Sequence, residues 1–329
     1  MTIREFARLC GVSPATASRF FSGQGQISEE KRALIAKMAK KTGYQPSQSY
    51  RTRRRPRSAL LVIVPDFEHA FFNNMAELLR AEAAACERQL VAVQSDGTAD
   101  DALLAMITAL APLGVILLSD HQSESLAGAL ICRGIPSVLC GGLPLGRKIS
   151  AVHIDNMQAA YDGARYLTGL GHKKIGLLSD DTRAISSGFL RITGCRRALA
   201  EAGLPLADTQ IAYGEMTYDG GYRAMDKLLA QSPDVTAVFA FGDDMAVGAA
   251  ARLWDGGLRI PDDVSLLGFD DTTIGRQLRP GLSTIRQPRE QIARACVAHL
   301  LQLEHVQDIE TRILPHELLV RDSCRRVER

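Results

Sequence analysis

The residues best suited to chemistry are carboxylates standing where apolar runs end. Asp66 follows the run from Ala59 to Val64, and Ser119-Asp120-His121 follow 114–118. Asp155 follows Val152-His153-Ile154, Asp243-Asp244 follow Phe239-Ala240-Phe241-Gly242, and Asp270-Asp271 follow the run ending at Phe269. A carboxylate accepts hydrogen bonds on both oxygens, so such a set suits a hydroxyl-bearing small ligand. Arg191, near the start of a helical pattern, offers a complementary fork of donors. Phe71-Phe72 add an aromatic face, and Arg183 and Arg289 add positive charge near the expected ligand site. For each carboxylate the competing assignment is N-capping of the helix that follows. None stands beside a plausible nucleophile, and there is no Gly-x-Ser-x-Gly elbow. The seven histidines lack metal-ligand spacing. Gly141-Gly142-Leu143-Pro144-Leu145-Gly146 does not open a helix as a dinucleotide loop does, and reads as an ordinary loop. The expectation is a binding protein rather than an enzyme, with no metal and no cofactor.

A second chemistry sits at the N-terminus. Residues 1–57 hold thirteen Lys and Arg against three acids, whereas the remainder holds 26 basic and 34 acidic residues. A basic head on an acidic body is the footprint of a polyanion binder.

The elements that position these groups follow from periodicity. In the head, Ile3, Phe6, Ala7 and Leu9 give a short amphipathic helix. Gly11 supplies a tight turn. Ser13 is an N-cap and Pro14 a first helical residue for a second helix to about Phe21. A third helix starts near Ser28, with Leu34, Ile35, Met38 and Ala39 on its apolar face, and ends at Gly43. This is a helix-turn-helix unit with the second helix as reader, presenting Pro14, Ala15, Thr16, Ser18 and Arg19. Ala15 and Pro14 can pack on thymine methyls, and Arg19 can reach guanine or a phosphate.

From Ala59 onward strands and helices alternate. Strands are expected at 59–64, 90–93, 114–118, 137–139 and 151–154, then at 174–178, 210–213, 237–241 and 264–269. Helices are expected at 75–87, 158–170, 190–202, 220–229 and 246–255, with Trp254 packed against its neighbours. The pattern predicts two doubly wound parallel-sheet units in series, with a ligand at the carboxyl ends of the strands. The cysteines are odd in number and scattered, without Cys-x-x-Cys, which suits a reducing cytoplasm. No apolar run reaches the ~18 residues a membrane helix needs, and no secretory signal opens the chain.

Specific stretches resemble the LacI/GalR family of ligand-responsive repressors. In the head they are Thr2-Ile3-Arg4-Glu5-Phe6-Ala7, Gly11 through Phe20, Ile27-Ser28 and Gly43-Tyr44-Gln45-Pro46. In the body they include Val64-Pro65-Asp66, Leu170-Gly171-His172-Lys173-Lys174-Ile175, Gly242 through Ala249, Ile260 through Asp271 and Leu282-Ser283-Thr284-Ile285. The resemblance implies an all-α helix-turn-helix head at 1–46, a hinge at 47–57 and an α/β body at 58–329. The body would be of periplasmic-binding-protein type, with three crossovers between its lobes, 58–157 with 287–315 and 158–286 with 316–329. It implies DNA contacts from Thr2, Ser13, Pro14, Ala15, Thr16, Ser18, Arg19 and Tyr44, with Pro14 and Ala15 choosing the operator sequence. It implies effector contacts drawn from Asp66, Phe71, Phe72, Ser119, Asp155, Arg191, Asp243, Asp270 and Arg289.

Two departures stand out. The family's Leu-Ala hinge wedge aligns with Arg53-Arg54, in a segment with five arginines in seven residues. Arg51, Arg53 and Arg54 either sit over a narrow minor groove or belong to a basic linker. Gly242 stands where relatives usually carry Asn, which removes a ligand-contacting amide. The expected partners are a palindromic double-stranded DNA operator, a carbohydrate effector and a second copy of the chain. Arg183 and Arg289 favour an anionic sugar. A homodimer is expected, because two heads on a palindrome double the phosphate contacts and no heptad tail follows Val320. No membrane partner is expected.

Overall fold

The computed structural model describes residues 3–22, 27–42, 44, 59–95, 99, 101–118, 123–143, 149–180, 187–302 and 309–327. The chain divides into two compact units, residues 1–58 with 102–111 and residues 59–101 with 112–329.

In the first unit, helices α1 (Ile3–Leu9), α2 (Pro14–Ser22) and α3 (Glu29–Thr42) enclose a small core. Phe6, Ala7, Cys10, Ala17 and Ile35 are buried there. Leu9, expected on the apolar stripe, is 56% exposed. At 100° per residue it lies about 200° from Ala7, and Cys10 takes the place assigned to it. Leu34 is likewise 44% exposed while Ile35 is buried. Gly11 closes α1 with a φ of 64°. The Val12 N–H donates to Ala7 O and Gly11 N–H to Arg8 O, a left-handed helix stop that favours glycine.

The second unit carries two six-stranded sheets. The first runs in the order β11-β5-β4-β3-β1-β2 and is parallel throughout. Its strands are β1 (Ala59–Val64), β2 (Gln89–Gln94), β3 (Val115–Leu117), β4 (Ser137–Cys140), β5 (Ser150–Ile154) and β11 (Thr311–Leu314). The second runs β12-β10-β9-β8-β6-β7, parallel except where β12 meets β10. Its strands are β6 (Ile175–Ser179), β7 (Ile211–Tyr213), β8 (Ala237–Ala240), β9 (Ser265–Asp270), β10 (Ser283–Arg286) and β12 (Glu317–Leu319). The chain therefore crosses between the sheets three times, after β5, β10 and β11.

Helices among the described residues are α4 (Ala70–Ala85), α5 (Asp101–Leu110), α6 (Ser123–Cys132), α7 (Asn156–Gly169), α8 (Ser187–Glu201), α9 (Tyr218–Gln231), α10 (Asp243–Asp255), α11 (Thr273–Gln277) and α12 (Arg289–Gln302). Every residue of β3, β4, β5, β6, β8 and β9 is buried. Helices on both faces of a parallel sheet produce that burial and explain the unbroken apolar runs. Each buried Val, Leu, Ile or Phe side chain contributes about 1.5–3 kcal/mol. Helix α4 begins at Ala70, five residues earlier than expected, and takes in Phe71 and Phe72. Trp254, expected to be packed, is 44% exposed on α10. No described helix is long and apolar enough to cross a membrane.

Candidate functional site

On the head, Ser13 accepts the Thr16 N–H at 3.2 Å and lies 2.9 Å from the Thr16 hydroxyl. That cap fixes the start of α2. Ser13, Pro14, Ala15 and Arg19 are exposed and Thr16 is half-buried, so these five stand together at the start and along the surface of α2. Tyr44 is placed differently. Its ring stacks on Phe6 at 4.4 Å and meets Phe21 at 5.6 Å, so its aromatic face packs the head's core. Thr2, Arg51, Arg53, Arg54 and the Ser18 side chain lie outside the described residues, as do Ser119, Asp120, His121 and Arg183.

In the body, a cavity of about 280 Å³ opens where strands of both sheets end. Pro65 follows β1, Leu118 follows β3, and Cys140 and Gly141 close β4. From the other sheet come Asp180 after β6, Gly242 after β8, Asp270 at the end of β9 and Gln287 after β10. Carboxyl ends of parallel strands are where open α/β sheets bind ligands. His69, Phe71 and Phe72 at the start of α4, Ser187 and Arg191 of α8, and Met216 complete the lining.

Arg191 is buried and held on three sides. Its Nε donates to Asn156 Oδ1 at 2.9 Å, its Nη1 donates to Phe241 O, and its guanidinium lies 3.6 Å over the Phe269 ring. A planar five-donor group clamped this way is pre-oriented, which limits the entropy cost of binding. Asp270 accepts from Gln287 Nε2 at 2.6 Å. Burial raises its carboxyl above the ordinary range, and the nearby Arg191 charge opposes that rise. Its φ of 107° and the 55° of Asp271 place two aspartates in the left-handed region. Such conformations cost about 1–3 kcal/mol each and persist only where the surroundings enforce them.

Asp243 is one of the groups that hold this turn, beside Gln287 on Asp270 and Arg286, Arg289 and Arg321 on Asp271. It does not line the cavity, contrary to expectation. It is wholly buried, and its Oδ2 accepts the Thr272 N–H at 2.6 Å and the Thr272 hydroxyl at 3.2 Å. Its Oδ1 pairs with the Thr284 hydroxyl at 2.7 Å. Burial, then the Asp270 charge, push its carboxyl up to about 8. It therefore pins the backbone just beyond Asp270-Asp271 rather than meeting a ligand.

Three other expected contacts also fall outside the described lining. Asp155 caps α7, accepting from Gln158 N at 2.9 Å, so the capping alternative describes it. Asp66 makes a local turn by accepting from Glu68 N at 2.9 Å. Arg289 is buried, donating to Asn74 Oδ1 at 2.8 Å and Asp271 O at 2.7 Å. It ties α4 to the loop after β9 and does not line the cavity, although its charge acts on Asp270. Of the expected set, Phe71, Phe72, Arg191 and Asp270 come together.

Sequence reasoning missed Asp180, Gln287, Cys140 and Gly141, although the strand-end rule that found Asp270 covers all four. Gly141 reads as plain loop in the sequence, and the four-residue β10 gives too short an apolar run to stand out as a strand. His69, Ser187 and Met216 lie near element starts and carry no comparable signal. At Gly242 an added Cβ would have room, its nearest neighbours being Met216 Sδ at 3.7 Å and Asp270 Oδ2 at 3.9 Å. The missing Asn side chain thus leaves space within the cavity.

Comparison with known proteins decides the family. Residues 2–47 match the profile of bacterial regulatory proteins of the lacI family, and residues 164–324 match the periplasmic binding protein-like domain. Catabolite control protein A of Priestia megaterium is 30% identical over 330 residues, covering 99% of each chain. The chain belongs to the lacI family. The HTH-type transcriptional regulator CelR of Thermobifida fusca is 32% identical, with 98% of both chains covered. The CelR–cellobiose complex superposes with a TM-score of 0.73 at 29% identity, over 98% of this chain and 99% of that one. The lac repressor dimer bound to operator and an anti-inducer shares the fold, with a TM-score of 0.73 at 22% identity. This lacI-family chain is accordingly a sequence-specific DNA-binding transcription regulator.

Proposed function

We propose that this regulator is a repressor of carbohydrate-utilisation genes whose operator affinity is set by a small sugar bound between the two sheets. The observation that carries the reading is the cavity itself. It pairs a clamped guanidinium with two carboxylates and an amide, opposite the rings of Phe71 and Phe72. Hydroxyls both donate and accept, so a sugar satisfies this mixed set, while its apolar face stacks on the aromatic side. At about 280 Å³ the space lies just below the usual ~300–1,000 Å³ range, which favours a small ligand.

Charge favours a neutral one. Arg289 is committed elsewhere, and Arg191 faces Asp270 and shares the lining with Asp180. A phosphate would meet more carboxylate than guanidinium among the described residues. The reading departs from the anionic sugar expected from the sequence, for which Arg183, one of the two arginines invoked, lies outside the described residues.

The protein acts in the cytoplasm as a homodimer, with two heads on a palindromic operator, and it does not turn its ligand over. The exposed Ser13, Pro14, Ala15 and Arg19 support the operator contact. Any effector that prefers one arrangement of the lobes shifts the operator equilibrium by its differential affinity.

A thermal-shift screen of neutral sugars, sugar acids and sugar phosphates tests the reading. The hit is then titrated against fluorescent operator duplex. A neutral sugar that raises the melting temperature and changes operator affinity is the expected result. Tight binding of a phosphate with none of the parent sugar would refute the charge argument, and turnover of the hit would refute the assignment as a non-enzyme.

A further inference from the structure

One thiol lines the cavity. Cys140 is the last residue of β4 and forms part of the wall at the carboxyl end of the first sheet. All seven cysteines are free, and Cys140 is the one in that wall. Behind it stands Cys296, among the buried residues of α12, a helix packed against β4. Cys296 is 0% exposed and Cys140 4%. The two side chains are in contact, the Cys296 thiol donating a hydrogen bond to Cys140. Burial, then that bond, hold the Cys296 thiol well above its ordinary range. Cys296 therefore stays protonated and out of reach of solvent, and a reagent entering the cavity meets Cys140 first.

We propose that Cys140 and Cys296 are a redox-responsive pair, joined in a reversible disulfide when a small hydroperoxide enters the cavity. Cys140 Sγ attacks a peroxide oxygen, the O–O bond breaks, and the thiol proton leaves with the departing hydroxide as water. Cys296 Sγ then attacks the Cys140 sulfenic acid. An S–S bond forms, the S–O bond breaks, and the hydroxyl leaves with the Cys296 proton as a second water. One hydrogen peroxide is reduced to two waters while two thiols are oxidised to one disulfide. A resolving thiol already in contact spares Cys140 from further oxidation. Small thiols in a reducing cytoplasm reverse the step by attacking the Cys140 sulfur from the cavity, as suits a transient, sensing disulfide.

The bond reaches the ligand site mechanically. The sulfurs must close from contact to about 2.05 Å, which draws α12 toward the end of β4. Arg289 opens α12 about two turns before Cys296 and on the same face. It donates to Asp271 O in the second lobe. Oxidation thus shifts the tie between the first lobe and the Asp270-Asp271 turn, and with it the lobe arrangement that sets operator affinity.

The test uses the reduced full-length protein and its Cys86→Ser with Cys132→Ser form, which lacks the two exposed thiols. Each is treated with hydrogen peroxide, digested without reductant and read by mass spectrometry. A peptide pair joined through Cys140 and Cys296, absent after dithiothreitol, is expected in both. In Cys296→Ala, dimedone should trap a sulfenic acid at Cys140. The joined pair is read directly in protein with an unaltered core, so it decides even if the alanine variant fails to fold. Affinity for an operator duplex recovered from randomised sequence should change by about fivefold or more on bridging and return on reduction. Oxidation confined to Cys86 and Cys132, or Cys140 carried to sulfinic acid with Cys296 untouched, would overturn the pairing. Complete bridging with unchanged operator affinity would overturn the regulatory role. No sugar is used, so the outcome stands apart from the identity of the effector.

Discussion

Replacing Asp243 tests how the cavity is held in place. In Asp243→Ala, the Thr272 N–H and the Thr284 hydroxyl lose their partner inside the core, where Thr272 is 3% exposed and Thr284 is 0% exposed. Each stranded group costs about 1–3 kcal/mol, so the loss should be about 4 kcal/mol. At roughly 2–4 °C per kcal/mol for a unit of this size, melting of the body should fall by about 8–16 °C. Asp243→Asn keeps an acceptor for Thr272 and supplies a donor for Thr284, so it should cost less than ~1 kcal/mol.

The two variants should also separate by pH. The folded carboxyl is raised from 3.8 to about 8, so between those values the folded state holds a proton that the unfolded state has lost. Stability then falls as pH rises through that window. The buried Asp270 carboxyl, also raised, adds to the same slope. Asp243→Asn should make the slope shallower by removing its own share. Urea melts at several pH values, followed by effector titration, measure both effects. Weaker effector binding in Asp243→Ala is expected, because the left-handed Asp270-Asp271 turn loses its anchor at Thr272. If Ala is within 1 kcal/mol of wild type, or if Asn is no better than Ala, the pinning argument is wrong.

Other outcomes follow from the same geometry. Arg191→Lys keeps the charge but cannot hold Asn156, Phe241 and a ligand together, and calorimetry should show at least about tenfold weaker sugar binding. In Gly268→Ala the new Cβ would press on Asp243 Oδ1 and come within 2.7 Å of Leu282 Cδ2. Urea melts should record a loss of about 1–3 kcal/mol. Exchanging Pro14 and Ala15 for other side chains should change the preferred half-site, at about 1–3 kcal/mol per altered base pair, without changing the salt slope. Selection from randomised duplexes reads the preference. Arg53→Ala with Arg54→Ala should flatten the plot of log affinity against log salt by up to about 2, near 0.9 for each phosphate no longer neutralised. An unchanged slope would make that segment a plain linker.

The two-sheet plan was legible because strands buried on both faces carry continuous apolar runs, as in Ala59–Val64 and Leu266 through Phe269. The head was legible because Gly11, Ser13 and Pro14 each do a local job that their covalent structure dictates. Elements without such marks were missed. Strands β11 and β12 are short, half-exposed edges, and α12 mixes charge with apolar residues on most of its turns.

What the sequence determined by itself was local: helix caps, strand runs, the basic head and the set of strand-end carboxylates. What only the tertiary structure decided was which carboxylate does which job. Asp155, Asp243 and Asp270 all stand near strand ends, yet the first caps a helix, the second pins a buried turn and the third faces the cavity. The difference arises because Thr272, Thr284, Gln287 and Arg191 approach from segments 17 to 79 residues away along the chain. Burial and hydrogen-bond partners are set by that convergence, and a strand-end position alone carries no record of it.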